Sequence, residues 1–325
     1  MLDRFKGKKI LIAGDVMVDA YIIGKVERLS PEAPVPVVNI ERHEHRLGGA
    51  ANVALNILSL GAEPILCTVI GNDPEAEDFL KILREKNLTT SGLVVSDNRK
   101  TTTKTRVLGN QHQLLRIDNE VLDDLKDSEN ERFLDTYKAN LEDCDVVILE
   151  DYNKGVLTEQ NIPILIDLAN KSGKPVVVDP KKKNFLCYKN VTLFKPNLKE
   201  LREGLNTQLN LKNKEDLIQA TKELNGLLNN QMTMVTLSED GVMISDHQQF
   251  DFIPAHYRNI SDVSGAGDTV IGVAALSIAS GFDMKLLAEL SNLAGGLVCE
   301  ESGVVPISPQ KLQKESAYLF SNTTS

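Results

Sequence analysis

KKILIAG at residues 8–14 is a continuous apolar run that opens on two lysines and closes on glycine, the pattern of a parallel strand buried on both faces. Similar runs recur at residues 64–71 (PILCTVIG), 145–149 (DVVIL), 175–178 (PVVV), 192–195 and 232–237 (MTMVTL). Between most of them lie helical patterns, which predict helices over 50–60, 74–86, 129–141, 158–171, 197–205 and 214–227. Each parallel connection needs a crossover of a dozen or more residues, so the alternation predicts an α/β fold with a mostly parallel central sheet covered by helices on both faces. Ligands of such a sheet gather beyond the carboxyl ends of its strands.

Two stretches break the rhythm. Residues 21–40 and 101–118 are β-branched, partly alternating and free of helical pattern between strands. They read as short strands of a separate small sheet, a lid drawn from about 15–45 and 97–120; edge strands of the main sheet are the alternative. After residue 232 the pattern is three strands to about 253, then apolar helices over 265–280 and 284–300 whose Ala, Gly and Leu content permits close packing.

The 325 residues are 42% hydrophobic and 25% charged, which excludes disorder as the overall state. Net charge is −10 and Trp is absent, so there is neither a basic stripe nor interleaved aromatics for nucleic acid, and anionic lipid is repelled. A phosphorylated ligand therefore needs a local anion-binding device. No apolar stretch reaches the length of a membrane span. The basic N-terminus lacks a cleavage pattern after its short apolar run, so that run reads as a strand. Cys67, Cys144, Cys187 and Cys299 form no C-x-x-C pair, which fits reduced thiols in a cytoplasm.

DVSGAGDT at residues 262–269 precedes the apolar helix VIGVAALSIAS. Gly265, Ala266 and Gly267 let the backbone approach a ligand, and N–H groups at a helix start bind anions without net basic charge. Asp268 beside them suits a general base that takes a proton from an attacking hydroxyl; a helix cap after a glycine turn is the other reading. LGGAANVAL at 47–55 places Gly48 and Gly49 before a helix with Asn52 on its first turn, suited to sugar hydroxyls or to simple packing. Asp15 and Asp19 lie at the same sheet edge and suit paired hydroxyls, or are solvated loop acids. His43 and His45 have no third ligand beside them. No Walker-type phosphate loop and no G-x-G-x-x-G after the first strand are present.

Taken in order, Gly14-Asp15, Asp19, LGGAAN at 47–52, Asn197-x-x-Glu200 and Gly265–Asp268 resemble the ribokinase-like (PfkB) carbohydrate kinases over nearly the whole chain. SPEAPVPVV at 30–38, TKTRVL at 103–108, QLLRID at 113–118, DYNKG at 151–155 and DPK at 179–181 resemble the kinase domain of the bacterial heptose 7-phosphate kinases, which act on D-glycero-β-D-manno-heptose 7-phosphate on the route to ADP-heptose. The resemblance implies a ribokinase-like fold, ATP and Mg²⁺, and phosphorylation of the C1 hydroxyl. It makes Asp268 the base, with Gly265, Ala266 and Gly267 stabilising the transferring phosphoryl. Asn197 and Glu200 would organise Mg²⁺, Glu200 through water. Ser238, Gly241, Ser264 and Asn292 would meet the nucleotide.

For the sugar phosphate the resemblance offers Asp15, Asp19, Gly48, Gly49, Asn52, Gln113 and Asp151, with Arg106, Lys154 and Lys181 for the 7-phosphate. Lys182 and Lys183 stay open as alternatives to Lys181. It also implies a homodimer through the lid and admits a monovalent cation. Many relatives have Thr at the position of Ser264. The H-x-G-H loop of a nucleotidyltransferase is absent from the sequence, so the expectation is one kinase domain over 1–325 with adenylyl transfer on another polypeptide. A kinase for another sugar, such as ribose, fructose or fructose 1-phosphate, and a non-catalytic nucleotide or sugar sensor are the alternatives.

Overall fold

The computed structural model describes residues 1–256 and 258–322. Its strands are β1 (Lys9–Gly14), β2 (Val16–Leu29), β3 (Pro36–Gly49), β4 (Glu63–Gly71), β5 (Leu93–Ser96), β6 (Thr103–Gly109), β7 (His112–Asn119), β8 (Val146–Glu150), β9 (Val176–Asp179), β10 (Leu193–Phe194), β11 (Met232–Thr236), β12 (Val242–Ser245) and β13 (Phe250–Ile253). Its helices are α1 (Ala50–Ser59), α2 (Pro74–Glu85), α3 (Asp127–Leu141), α4 (Ile162–Lys171), α5 (Leu198–Leu205), α6 (Lys214–Leu228), α7 (Ala266–Ala279), α8 (Met284–Val298) and α9 (Pro309–Asn322).

Among the described residues the main sheet runs β13-β12-β11-β10-β9-β8-β1-β4-β5, parallel except for the antiparallel β11-β12-β13 end. Period-two geometry explains why its central strands read as unbroken apolar runs. Ile10 and Ile12 point into one core with Val146 and Ile148, whereas Leu11 and Ala13 point into the other with Val147 and Leu149. The first core is closed by α1, α2, α7 and α8, the second by α3 to α6. Each fully buried Leu, Ile or Phe contributes about 1.5–3 kcal/mol. The close helix packing read from the sequence occurs between α7 and α8: a Cβ on Gly295 would lie 2.6 Å from Val270 Cγ2.

A second sheet, β3-β2-β6-β7, forms the lid, so the edge-strand alternative falls. Its strands are not all short. β2 and β3 each run 14 residues, and β3 continues to Gly49 without a preceding turn. The sequence hid this because much of β3 is exposed and polar. Register divides the lid into two faces. Asp19, Tyr21, Arg46, Lys104 and Arg106 share one face through the pairs Asp19–Arg46, Asp19–Lys104 and Tyr21–Arg106. Thr105–Ile117 and Val107–Leu115 share the opposite face, and so do His43 and His45.

Other boundaries also differ. α4 begins at Ile162, because Thr158 and Asn161 bond reciprocally (Thr158 N–H to Asn161 Oδ1 2.8 Å, Asn161 N–H to Thr158 Oγ 3.1 Å) and hold a turn where a helix was expected. β5 and α9 had no counterpart in the sequence reading. No described helix is long and apolar enough to cross a membrane.

Candidate active site

The carboxyl ends of β1, β8 and β9 and the start of α7 converge on Asp268. Gly265 precedes α7 in the left-handed region, at φ +80°. A Cβ there would also come within 2.9 Å of Asn52 Nδ2, so glycine is required both by backbone and by space. Of the expected cradle, the Ala266 N–H already donates to Val263 O (3.3 Å). Gly267 and Asp268 stand in the first helical turn, where main-chain N–H groups lack intrahelical partners.

Asp268 is buried and clamped from two sides. Asn52 Nδ2 donates to Oδ2 (2.6 Å) and the Tyr152 hydroxyl donates to Oδ1 (2.6 Å). Burial pushes its carboxyl up to about 6; the Tyr152 and Asn52 hydrogen bonds and Lys195 oppose that rise, and Asp179 adds to it. A carboxylate with that value is ionised at neutral pH and basic enough to accept a proton.

Around Asp268 lies a cluster that the sequence reading did not assemble. Lys195, almost fully buried, pairs with Asp179 (2.8 Å), and both flank Gly267, where a Cβ would lie 3.6 Å from Asp179 Oδ2 and 3.9 Å from Lys195 Nζ. Glu150 is fully buried, and neither carboxylate oxygen has a hydrogen-bond partner among the described residues. Burial, then Asp179 and Asp268, push its carboxyl well above its ordinary value. Both residues were lost in the sequence because they sit at the last position of, or just after, an apolar strand. Tyr152 was quoted only as part of DYNKG.

The structure sorts the expected substrate residues. Asp19 is buried and ion-paired with Arg106, whose guanidinium lies 5.4 Å from the centre of the Tyr21 ring. Gly48 leaves the space that the Asp19 carboxylate fills. Gly49, at φ +61°, turns β3 directly into α1 and brings Asn52 to Asp268. Arg46 packs on Tyr21 as well (4.9 Å), and its Nη1 has no partner among the described residues; sequence reading passed over it.

Four of the expected residues have other surroundings than the reading of hydroxyl or phosphate contact pictured. Asp15 is buried and accepts the N–H groups of Tyr152 (2.8 Å), Lys154 (3.0 Å) and Val156 (3.1 Å), so it fixes the loop after β8. Asp151 is likewise consumed by the Tyr188 hydroxyl (2.7 Å), the Asn153 N–H (2.7 Å) and Asn184 (3.3 Å). Gln113 is exposed near the tip of the β6-β7 hairpin, several pairs beyond Lys104. Lys181 Nζ bonds Glu200 Oε1 (2.6 Å) and lies 3.8 Å from Asp179. Burial alone would lower its ammonium, but Asp179 and Glu200 outweigh that and raise it, so it stands in the Glu200 cluster.

Lys154 pairs with Glu120 (2.7 Å), whereas Lys182 and Lys183 make exposed pairs with Glu203 and Asp124. Arg106 and Lys154 thus remain as partly buried cations of the expected set.

On the other flank, Asn197 and Glu200 form the capping box of α5: Asn197 Oδ1 accepts the Glu200 N–H (2.8 Å) and Glu200 Oε2 accepts the Asn197 N–H (2.9 Å). Ser238 and Gly241 lie in the positive-φ turn between β11 and β12. Ser264 N–H bonds Asp262 (2.9 Å), and Asn292 Nδ2 bonds Pro254 O (2.9 Å) just beyond β13. No three metal-ligating side chains converge among the described residues. Mg²⁺ keeps its waters and takes one or two carboxylates together with substrate phosphates, and Glu200 and Asp179 are buried carboxylates at this site. Even without Glu150, the carboxylates Asp179, Asp268 and Glu200 outnumber Lys181 and Lys195, so the cluster also fits added positive charge.

A doubly covered α/β sheet with a β lid, a helix N-terminus at the strand ends and an acid basic enough to take a hydroxyl proton define a small-molecule kinase. The model of the pfkB family carbohydrate kinases matches residues 8–311, and the chain belongs to that family: it is a phosphotransferase with an alcohol acceptor. It is 40% identical over 296 residues to the bifunctional protein HldE of Helicobacter pylori strain P12, covering 91% of this chain and 64% of that one. It is 36% identical over 321 residues to HldE of Aliarcobacter butzleri, covering 98% and 67%. The chain thus spans about two thirds of the length of these relatives. Among solved structures, phosphofructokinase-2 from Escherichia coli in complex with fructose-6-phosphate superposes with TM-score 0.77 at 19% identity, covering 96% of this chain and 99% of that one. Arabidopsis thaliana ribokinase complexed with ribose and ATP gives 0.74 at 16% identity, covering 95% and 99%.

Proposed function

We propose that the chain phosphorylates the C1 hydroxyl of D-glycero-β-D-manno-heptose 7-phosphate with ATP, giving the 1,7-bisphosphate for ADP-heptose synthesis. The observation that carries the reading is Asp268: a buried carboxylate, held by Asn52 and Tyr152, at the start of a helix whose glycines admit a phosphoryl group. Support for heptose comes from SPEAPVPVV together with TKTRVL and from the similarity to HldE.

Asp268 takes the proton of the C1 hydroxyl. The freed oxygen forms a bond to the γ-phosphorus as the bond from that phosphorus to the β-phosphate oxygen breaks, ADP departs, and Asp268 returns the proton to solvent. The N–H groups at the start of α7, with Lys195, stabilise charge on the equatorial oxygens. Mg²⁺, when bound, neutralises charge on the triphosphate, with Glu200 as its candidate ligand through water. Asn52 and Asp19 hold sugar hydroxyls, and Arg106, with Lys154, faces the distal phosphate. The lid excludes water that would otherwise hydrolyse ATP.

The outward lid face, with exposed Leu115 and Ile117, supports a homodimer. The four free cysteines support a cytoplasmic location. An ADP-release assay with heptose 7-phosphate, ribose, fructose and fructose phosphates tests the reading. Preference for heptose 7-phosphate is expected; preference for an unphosphorylated sugar overturns the substrate, and no ADP release with any acceptor overturns the activity.

A further inference from the structure

A base that works from inside a buried cluster needs something to keep it ionised, since Glu150 and Asp179 stand nearby and burial favours the neutral acid. Two donors do this, and they differ. The Asn52 amide reaches Asp268 from the sugar side. The Tyr152 hydroxyl reaches it from the loop after β8, and that loop is rigidly fixed: Asp15 accepts the Tyr152 N–H at 2.8 Å and the next alternate N–H groups at 3.0 and 3.1 Å. The Tyr152 ring also lies under Lys181 Nζ at 5.1 Å, the ammonium that holds Glu200. Burial, then Asp268, Glu150 and Asp179, push the Tyr152 phenol far above its ordinary value, so it donates and does not take up the proton that Asp268 abstracts.

We propose that Tyr152 is a positioning residue that holds Asp268 in its ionised form and in one orientation, leaving the carboxylate's remaining lone pairs for the acceptor alcohol. This rests on Asp268 being the base. It ties that base, through one phenol, to the Lys181–Glu200 pair on the nucleotide flank, and it gives Asp15 an indirect part as the anchor of the loop. The groups facing Asp268 are Tyr152 and Asn52 as donors, Lys195 as a cation, and Asp179 and Glu150 as acids.

The test is the titration of Asp268 itself, followed by carboxyl ¹³C NMR in the ligand-free protein, alongside the pH profile of kcat. Tyr152→Phe should move the Asp268 midpoint up by about one pH unit, the scale of one hydrogen bond to a charged group. The acid limb of kcat should move with it, while the KM for MgATP stays unchanged. Site-specific 3-fluorotyrosine at 152, a more acidic phenol and stronger donor, should move the midpoint the opposite way; it carries the test if Tyr152→Phe does not fold. A midpoint that stays in place in the folded variants overturns the proposal, as would a loss of activity with no change in the pH profile. Full turnover in Asp268→Asn overturns the base assignment instead, and the failures are separable because the NMR titration needs no turnover.

Discussion

Replacing Asp268 by Asn should make the protein more stable and nearly inactive. The folded environment raises the carboxyl from 3.8 to about 6. In the unfolded chain it ionises near 3.8. The group therefore costs nothing below pH 3.8, costs progressively more as pH rises between 3.8 and 6, and costs its full amount above 6. That amount is about 3 kcal/mol, from the two-unit difference at about 1.4 kcal/mol each.

The isosteric amide removes the cost and keeps the clamp: its oxygen accepts from Asn52, and its NH₂ donates to Tyr152, whose hydroxyl can turn to accept. With an unfolding entropy of about 2 cal/mol/K per residue over 325 residues, a gain of about 3 kcal/mol raises Tm by about 4 °C at pH 8. About half of that is expected at pH 5, where less of the cost is present. Turnover should fall by about 10²–10⁴, or about 3–5 kcal/mol of barrier. Calorimetry at the two pH values and a coupled kinase assay measure both. Undiminished kcat, or a Tm change independent of pH, would refute the reasoning.

Arg106→Ala should raise the KM for the sugar phosphate by roughly 10- to 100-fold and leave that for ATP unchanged; equal effects on both in steady-state kinetics would remove Arg106 from the phosphate. Glu150→Gln should stabilise the fold more at pH 8 than at pH 5, because a carboxyl raised by folding costs stability increasingly as pH climbs past its unfolded value of 4.5; equal urea midpoints for variant and parent at pH 8 would show that burial of Glu150 carries no such cost. Leu115→Asp with Ile117→Asp should convert a dimer to monomer in sedimentation without changing the KM for ATP, and a dimer that survives both substitutions would place the interface elsewhere.

What the sequence disclosed follows from burial. β1, β4, β8 and β11 were legible because both of their faces are covered, so sidedness left no gaps in the apolar runs. α7 and the Gly265–Asp268 cradle were legible because glycine, a small residue and an acid before an apolar helix have a local meaning. The length of β2 and β3 was not, since lid strands half in solvent carry Lys, Arg and Glu. Residues such as Tyr152, Lys195 and Glu150 acquire their roles only when β8, β9 and β10 end where α7 begins, and neighbours in the chain say nothing of that. The same holds for Asp15: its position at the strand end was correct, while its three N–H partners come from a loop more than 130 residues away.

β2 passes without a gap from Val16 in the floor of the cleft to the exposed Leu29. The ten steps from Asp19 to Leu29 span at most about 33 Å. Its near end carries the carboxylate paired with Arg106, its far end stands in solvent, and the register shifts at Ile23/Gly24 and Val26/Arg28 fall between them, so one strand joins two surroundings through two irregular joints.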